Sequence, residues 1–506
     1  MINLTPLCKP LMHAIYAREQ RLRGDVEGSQ RATLRRLLRQ GARTVWGRAR
    51  GIDGSESYAA FSARVPASGY EAFRPEVERM LRGERDVLWP GRCDRYAQSS
   101  GTSGGKSKYI PLTPQSLQGC HYAGAAYAFA SYLHHHPDSR VFGGRNFILG
   151  GSYANEIAGL RPGVKVGDLS ASLIDRINPL VNIFRIPSKQ VALMEDWRQK
   201  LPRLVEASLR ADVRSISGVP SWFLTVLREV LKASGAGNIH DVWPNLEVFF
   251  HGGIAFGPYR PQYARITDAG RMRYWENYNA SEGFFAVQDQ PGAAPMGLLM
   301  GNEVFYEFAD PADSSSAPVP VWETVAGEVY ELVITSSNGL WRYRLGDTVR
   351  IESTAPLTVT VAGRTRSFIN AFGEELMVHN AEAAMSSAQK ITGAEVADYT
   401  AAPVYAGDGT RGRHQWLVEF TRRPRGGVEE FARVLDAELQ RVNSDYQAKR
   451  SGGIFLDPPE VIEARRGLFD RWLASTGKLG GQRKVPRLCN DRRVIDAMLP
   501  MNDKDS

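Results

Sequence analysis

The sequence predicts an α/β protein with a large N-terminal domain of mixed sheets and helices, followed by a smaller α/β domain. Three observations carry that prediction. Residues 213–216, then Gly218-Val219-Pro220, then the apolar stretch 222–231 read as strand, turn and helix, the building unit of α/β folds. From residue 245 onward, short segments of strand character crowd together. Gly363-Arg364-Thr365-Arg366 then punctuates the chain as a hinge, which places 1–363 in the first domain and 364–506 in the second. With 506 residues, 43% of them hydrophobic, the chain can fill more than one core.

Taken in order, residues 1 to about 95 read as helices and then loop-rich chain, anchored by Phe61, Tyr70 and Phe73 around Pro66 and Pro75. Leu34, Leu37 and Leu38 alternate with Arg31, Arg35, Arg36 and Arg39 at helical spacing, which makes the arginines a solvated helix face. Thr113-Pro114 opens a helix through Ala123, Ala126, Phe129 and Leu133 that ends near His134-His135-His136. Adjacent histidines point in different directions on a helix, so this run reads as a surface helix end rather than a metal site. Residues 146–149 read as a buried strand, 246–250 as a strand running into His251-Gly252-Gly253, and 273–277 as a strand delivering the loop 278–283. Residues 298–308 and 328–335 alternate like antiparallel strands, and 341–345 reads as a strand ending at Gly346-Asp347. Past the hinge come a strand near 416–420 and an amphipathic helix with Phe431, Val434, Leu435, Leu439 and Val442 on one face.

The chemistry concentrates in residues 99–108. Ser99, Ser100, Gly101, Thr102, Ser103, Lys106 and Lys108 combine hydroxyl donors, backbone free to turn its N–H groups inward, and two cations. That composition suits a polyphosphate, and a nucleoside triphosphate is its natural ligand. The segment is not a Walker A loop: Gly105-Lys106-Ser107 supplies the second half of GxxxxGK[ST], but the first glycine position holds Ser100. A Gly/Ser linker is the bland alternative, and the ordered flank Tyr109-Ile110-Pro111-Leu112 argues against it.

Bulk properties narrow the class. Cys8, Cys93, Cys120 and Cys489 form no CxxC pair and no disulfide framework, which fits a reducing, cytoplasmic setting. No apolar run reaches the roughly 18 residues of a membrane span. The net charge of +8 is mild for this length and its arginines are dispersed, which disfavours nucleic acid as a partner.

Read together, SSGTSGGKSK (99–108), YNASEG (278–283), YRLGD (343–347), GRTRSFINAFGEE (363–375) and GGQRKVPRL (480–488) resemble a bacterial member of the Gretchen Hagen family of acyl acid amido synthetases. That family sits in the adenylate-forming superfamily, and the resemblance implies its fold, with a mobile C-terminal domain. It also implies ATP and magnesium as cofactors, and a small carboxylic acid and an amino acid as substrates. By the same resemblance the 99–108 loop holds the phosphates, with Lys106 or Lys108 as the cation. Glu282 binds magnesium. Tyr278, Asn279, Ala280 and Ser281, with Gly252 and Gly253, flank the adenine. Asp347 accepts from both ribose hydroxyls, and Arg364 joins the nucleotide site at the hinge. Lys484 matches the late lysine that a domain rotation delivers, with Lys478 as the fallback; both also read as solvated loop cations. Phe372-Gly373 stands where plant members carry an Asp-Lys pair. The acyl pocket falls to 115–136 and 213–231, with Tyr122, Tyr127, Trp222 and Phe223 as candidates, although aromatics in such stretches more often belong to a core.

Three functional readings compete: an amido synthetase, an acyl-CoA ligase that passes the same adenylate to a thiol, and a nucleotide binder without catalysis. The family motifs favour the first. Glu282 and Lys484 argue against the third, because a binder needs no late lysine.

Overall fold

The computed structural model of the chain describes residues 3–99, 108–153, 160–257, 259–292, 295–311, 313, 315–364, 368–405, 407, 411–453, 455–475 and 485–503. They form two compact units. The first takes residues up to 256 and from 263 to 364; the second takes the short segment 257–262 and the residues from 368 onward.

In the first unit, helices Thr5–Gly24 and Val26–Gly41 meet at Asp25, whose side chain accepts from the Gly28 amide and so starts the second helix. That helix buries Leu34, Leu37 and Leu38 and leaves Arg31 outside, paired with Glu27 one turn away, as its periodicity predicts. Strands β1 (Arg95–Ser99) and β2 (Lys108–Pro111) form an antiparallel hairpin, and β4 (Lys165–Gly167) pairs parallel to β1. The Thr113 hydroxyl then caps the helical run that ends at His135. Its end is more packed than a bare surface terminus: the His134 ring stacks on Tyr16 at 3.9 Å and His136 on Tyr132 at 4.6 Å. Among the described residues no cluster of three metal-ligating side chains exists.

The centre of the unit is one twelve-stranded mixed sheet. Its parallel half comprises β5 (Arg185–Ile186), β3 (Arg145–Ile148), β6 (Val213–Gly218), β7 (Val248–His251) and β8 (Arg273–Ala280), in that spatial order. Its antiparallel half continues from β8 through β9 (Gly283–Gln288), β10 (Met296–Leu298), β15 (Leu357–Arg364), β14 (Tyr343–Thr354), β13 (Val329–Ser336) and β11 (Val304–Ala309) to β12 (Val319–Pro320). Strand β8 belongs to both halves, parallel to β7 and antiparallel to β9. The parallel half is covered on both faces, which is why its strands read as continuous apolar runs. Phe147 and Phe249 pack on Phe223 of helix Pro220–Ser234 at 5.3 and 5.5 Å, while Phe250 points the other way, onto Phe129 at 4.5 Å.

Three expectations give way here. The segment 278–280 is strand, with Tyr278 paired to Ala286 and Ala280 to Gly283, so only Ser281-Glu282 turns the hairpin. Strand β14 runs through Gly346-Asp347 to Thr354 because β13 and β15 flank it on both sides, and a bulge at Thr348/Val349 lies opposite Gly363. Gly346 and Gly363 hold φ of +86° and +148°, which lets the ladder continue past the irregularity. Residues 298–308 split into β10 and β11, since Glu19 captures the Met300 and Gly301 amides between them.

In the second unit, β16 (Phe368–Ile369) pairs antiparallel with β17 (Leu376–Met377), β18 (Glu395–Val404) pairs antiparallel with β19 (Arg413–Arg422), and β20 (Glu460–Ala464) pairs parallel to β19. Helices Val378–Thr392 and Gly427–Val442 lie in this unit, the latter burying Phe431, Val434, Leu435 and Leu439. The turn 370–375 is built on Glu374, whose carboxylate accepts from the Ala371 and Phe372 amides and meets His414 Nε2 at 2.8 Å.

Candidate active site

Ser99 and Lys108 are the last paired residues of the β1–β2 hairpin, so the polyphosphate-type loop is held at both ends by a strand ladder. Ser100, Gly101, Thr102, Ser103 and Lys106 lie outside the described residues, as do Lys478 and Lys484. Lys108 is buried, and its ammonium donates to the Tyr343 hydroxyl at 3.4 Å. That hydroxyl in turn donates to Glu282 Oε1 at 3.3 Å. The hairpin cation and the turn carboxylate, 174 residues apart in sequence, thus share one fully buried phenol.

Glu282 sits in the β8–β9 turn, and Asn338 steadies that turn by donating its amide to the Glu282 carbonyl at 3.0 Å. On β8 the Tyr278 hydroxyl donates to Asp347 Oδ2 at 2.7 Å, with both residues buried. Tyr343 and Asp347 lie four residues apart on β14, on either side of the irregularity between Arg344 and Thr348 where Gly346 holds φ of +86°. Arg364 pairs with Asp347 through the β14–β15 ladder. These contacts bring Ser99, Lys108, Tyr278, Glu282, Tyr343 and Asp347 into one neighbourhood. Asn279, Ala280 and Ser281 are half-buried along the same hairpin.

Gly252 and Gly253 follow β7 at the carboxyl end of the parallel half, the place where open α/β sheets bind ligands. A Cβ on Gly252 would stand 2.3 Å from the Asn277 carbonyl oxygen, so bareness is required there by the neighbouring strand. Gly253 holds φ of +83°.

The four aromatic candidates divide by environment. Phe223 and Tyr127 are core residues. The former is enclosed by Phe147 and Phe249; the latter donates from its hydroxyl to Asp289 at 3.2 Å. Tyr122 is half-buried with its hydroxyl on the Leu173 carbonyl at 2.7 Å, and burial raises its phenol above the usual range. Trp222 is half-buried and meets Trp197 edge-on at 5.8 Å. In the sequence Tyr343 stands only as part of YRLGD, with nothing to mark its contacts to Lys108 and Glu282.

Comparison with known proteins matches the GH3 family N-terminal domain to residues 18–178 and 163–272, its central domain to 297–364 and its C-terminal domain to 379–493. The chain belongs to the GH3 family. Indole-3-acetic acid-amido synthetase GH3.8 of Oryza sativa subsp. indica is 24% identical over 557 residues, covering 94% of this chain and 90% of that protein. Jasmonoyl–L-amino acid synthetase JAR6 of Nicotiana attenuata is 24% identical over 403 residues, covering 65% of this chain and 67% of that protein. Among solved structures, AtGH3.15 acyl acid amido synthetase in complex with 2,4-DB superposes with a TM-score of 0.61 at 19% identity, over 97% of this chain and 96% of that one. A 2-hydroxyisobutyryl-CoA ligase superposes with a TM-score of 0.59 at 14% identity, over 94% and 92%. The GH3 chain therefore has the adenylate-forming fold. No helix among its described residues is long and apolar enough to cross a membrane.

Proposed function

We propose that this GH3 protein is an ATP-dependent acyl acid amido synthetase, which activates a small carboxylic acid as its acyl adenylate and passes the acyl group to the amine of an amino acid. The observation that carries the reading is the assembly of Asp347, Tyr278, Glu282, Tyr343 and Lys108 beside the hairpin closed by Ser99, in a chain with amido synthetase relatives along nearly its whole length.

A free carboxylate is a poor acyl donor because its leaving group would be oxide. Attack of its oxygen on the α-phosphorus of ATP expels pyrophosphate and leaves a mixed anhydride. Attack of an amine on the acyl carbon then forms the amide and expels AMP. Asp347 accepts from the ribose hydroxyls, and Tyr278 fixes its carboxylate for that task. Ser99 and Lys108 hold the phosphate chain as negative charge gathers on the departing pyrophosphate. Glu282 fits a magnesium ion: it is a hard oxygen donor, buried and oriented by the Tyr343 phenol. When bound, such an ion neutralises phosphate charge and polarises the P–O bond that breaks. In this reading the domain of residues 364–506 swings about 363–366 and brings Lys484 to the site, so one centre serves both half-reactions. The four cysteines, all free, suit a cytoplasmic setting.

The test is magnesium-dependent pyrophosphate release with pooled carboxylic acids, run with amino acids, with coenzyme A and with neither, followed by mass analysis. Acid-dependent release that rises with an amino acid and yields an amide is the expected result. Thioester formation with coenzyme A alone would replace the reading by a CoA ligase, and ATP binding without release from any pool would replace it by a binder.

A further inference from the structure

The turn that joins β13 to β14 is polar and buried, and Asn338 at its centre has no exposed surface. Its carboxamide has a partner on each side. Asn338 Oδ1 accepts from the Ser336 hydroxyl, and the Asn338 amide donates to the Glu282 carbonyl at 3.0 Å. A carbonyl oxygen only accepts, so the NH2 side of the carboxamide is the side that meets Glu282. Glu282 stands in the two-residue turn closed by the Ala280–Gly283 pair, and Asn338 supplies its buried carbonyl with a donor that the strand ladder does not.

The same turn reaches the phosphate-type hairpin. Thr113, two residues past the end of β2, donates its hydroxyl to the Ser337 carbonyl at 2.8 Å and accepts from the Ser116 amide at 2.9 Å. Gly339 lies so close to Leu88 that a Cβ on it would stand 2.7 Å from the Leu88 Cβ, which holds the turn from a third side. Five residues beyond Asn338, the Tyr343 hydroxyl donates to the Glu282 carboxylate. One stretch of chain thus holds Glu282 at both ends, the main chain through Asn338 and the carboxylate through Tyr343, and also holds the segment that leaves the hairpin.

We infer that Asn338 is a positioning residue for the magnesium carboxylate, and that the 336–339 turn fixes the spacing between that carboxylate and the phosphate hairpin. The inference rests on the amido synthetase reading, in which Glu282 takes the ion and the hairpin takes the phosphates. A partner that orients a metal ligand through a hydrogen bond typically accounts for about 10–100-fold in metal affinity. The nucleoside end of the site has a separate support, Tyr278 on Asp347. Loss of Asn338 therefore weakens magnesium and phosphate binding and spares the nucleoside.

The experiment uses the full chain and reads binding by melting temperature: the rise induced by ATP is titrated with magnesium, and the rise induced by AMP is measured without it. Asn338→Leu keeps the approximate shape and removes both hydrogen-bonding groups. It should move the magnesium midpoint up by about tenfold or more and leave the AMP midpoint within about threefold. Thr113→Val should raise the ATP midpoint at saturating magnesium by about three- to tenfold, and Thr113→Ser, which keeps the hydroxyl, should restore most of it. Because both positions act through one turn, the combined Asn338→Leu and Thr113→Val change should fall short of the product of the separate effects. An unmoved magnesium midpoint in Asn338→Leu overturns the inference, and so does an equal loss of AMP binding, the mark of a merely structural role. An ATP-induced rise that ignores magnesium in the unaltered protein also overturns it. If Asn338→Leu does not fold, equal ATP midpoints in Thr113→Val and Thr113→Ser decide against the inference. Pyrophosphate release with pooled acids is followed in parallel: its absence in the unaltered protein sinks the amido synthetase reading alone, since the magnesium titration still decides the role of Asn338.

Discussion

The two halves of the large sheet deliver site residues in different ways. In the parallel half, β6 and β7 end at Gly218 and His251, and the candidate residues Gly252 and Gly253 lie just past a strand. In the antiparallel half, Tyr278, Tyr343 and Asp347 are strand residues, paired in their ladders with Ala286, Ile334 and Arg364, and only Glu282 occupies a turn. Positions after a strand answer to the backbone of the next strand, as Gly252 answers to Asn277. Positions within a strand answer to the side chains that share their face, as Asp347 answers to Tyr278. Rigidity in the second case comes from side-chain bonds, which makes those residues separable by mutation without loss of the fold.

That contrast can be broken most severely at Arg342, which forks onto the fully buried Glu307 and donates to the Ser62 and Val65 carbonyls. Arg342→Met strands the Glu307 charge and should cost about 3–5 kcal/mol in chemical denaturation. Asp347→Ala should raise the KM for ATP roughly 10–100-fold, the loss of a charged hydrogen-bond acceptor, with the melting temperature little changed. Gly252→Ala tests the other half: overpacking against Asn277 should cost about 1–3 kcal/mol in stability, and a neutral result would show that β7 and β8 yield to each other. His121 gives a pH signature. Its pKa falls from 6.5 to about 4 on folding, so the unfolded chain takes the proton first. Its contribution is whole above pH 6.5 and is lost as pH falls toward 4, at most about 1.4 kcal/mol per pH unit; the acid limb of the melting curve should flatten in His121→Leu. Tyr343→Phe is the mildest change. It should cost about 1 kcal/mol in stability while shifting the magnesium concentration that supports half-maximal pyrophosphate release.

Much of this was legible from spacing. The helix face of Leu34, Leu37 and Leu38, the strand–turn–helix at 213–231 and the buried stripe from Phe431 to Leu439 follow from periodicity, which burial enforces locally. The extents of β8 and β14 were not legible. Both cross polar motifs that look like loops, and pairing with neighbouring strands, Ala286 for Tyr278 and Val333 for Arg344, keeps those residues extended. The Lys108–Tyr343–Glu282 chain was hidden for the same reason, since a phenol inside a strand carries no mark of the two ionic groups it will join.

The double membership of β8 bears on how the protein can be divided. The match to the family's N-terminal domain stops at 272 and that to the central domain begins at 297, so β8 and β9 lie in the gap between two named domains. A truncation at residue 272 would strip β7 of its parallel neighbour and bare the backbone of Val248, Phe249 and Phe250 as a new sheet edge. Uncovered apolar edges recruit other chains. Such a fragment should precipitate where the intact protein stays in solution, and the smallest soluble piece carrying the Ser99–Lys108 hairpin should extend at least through Gln288.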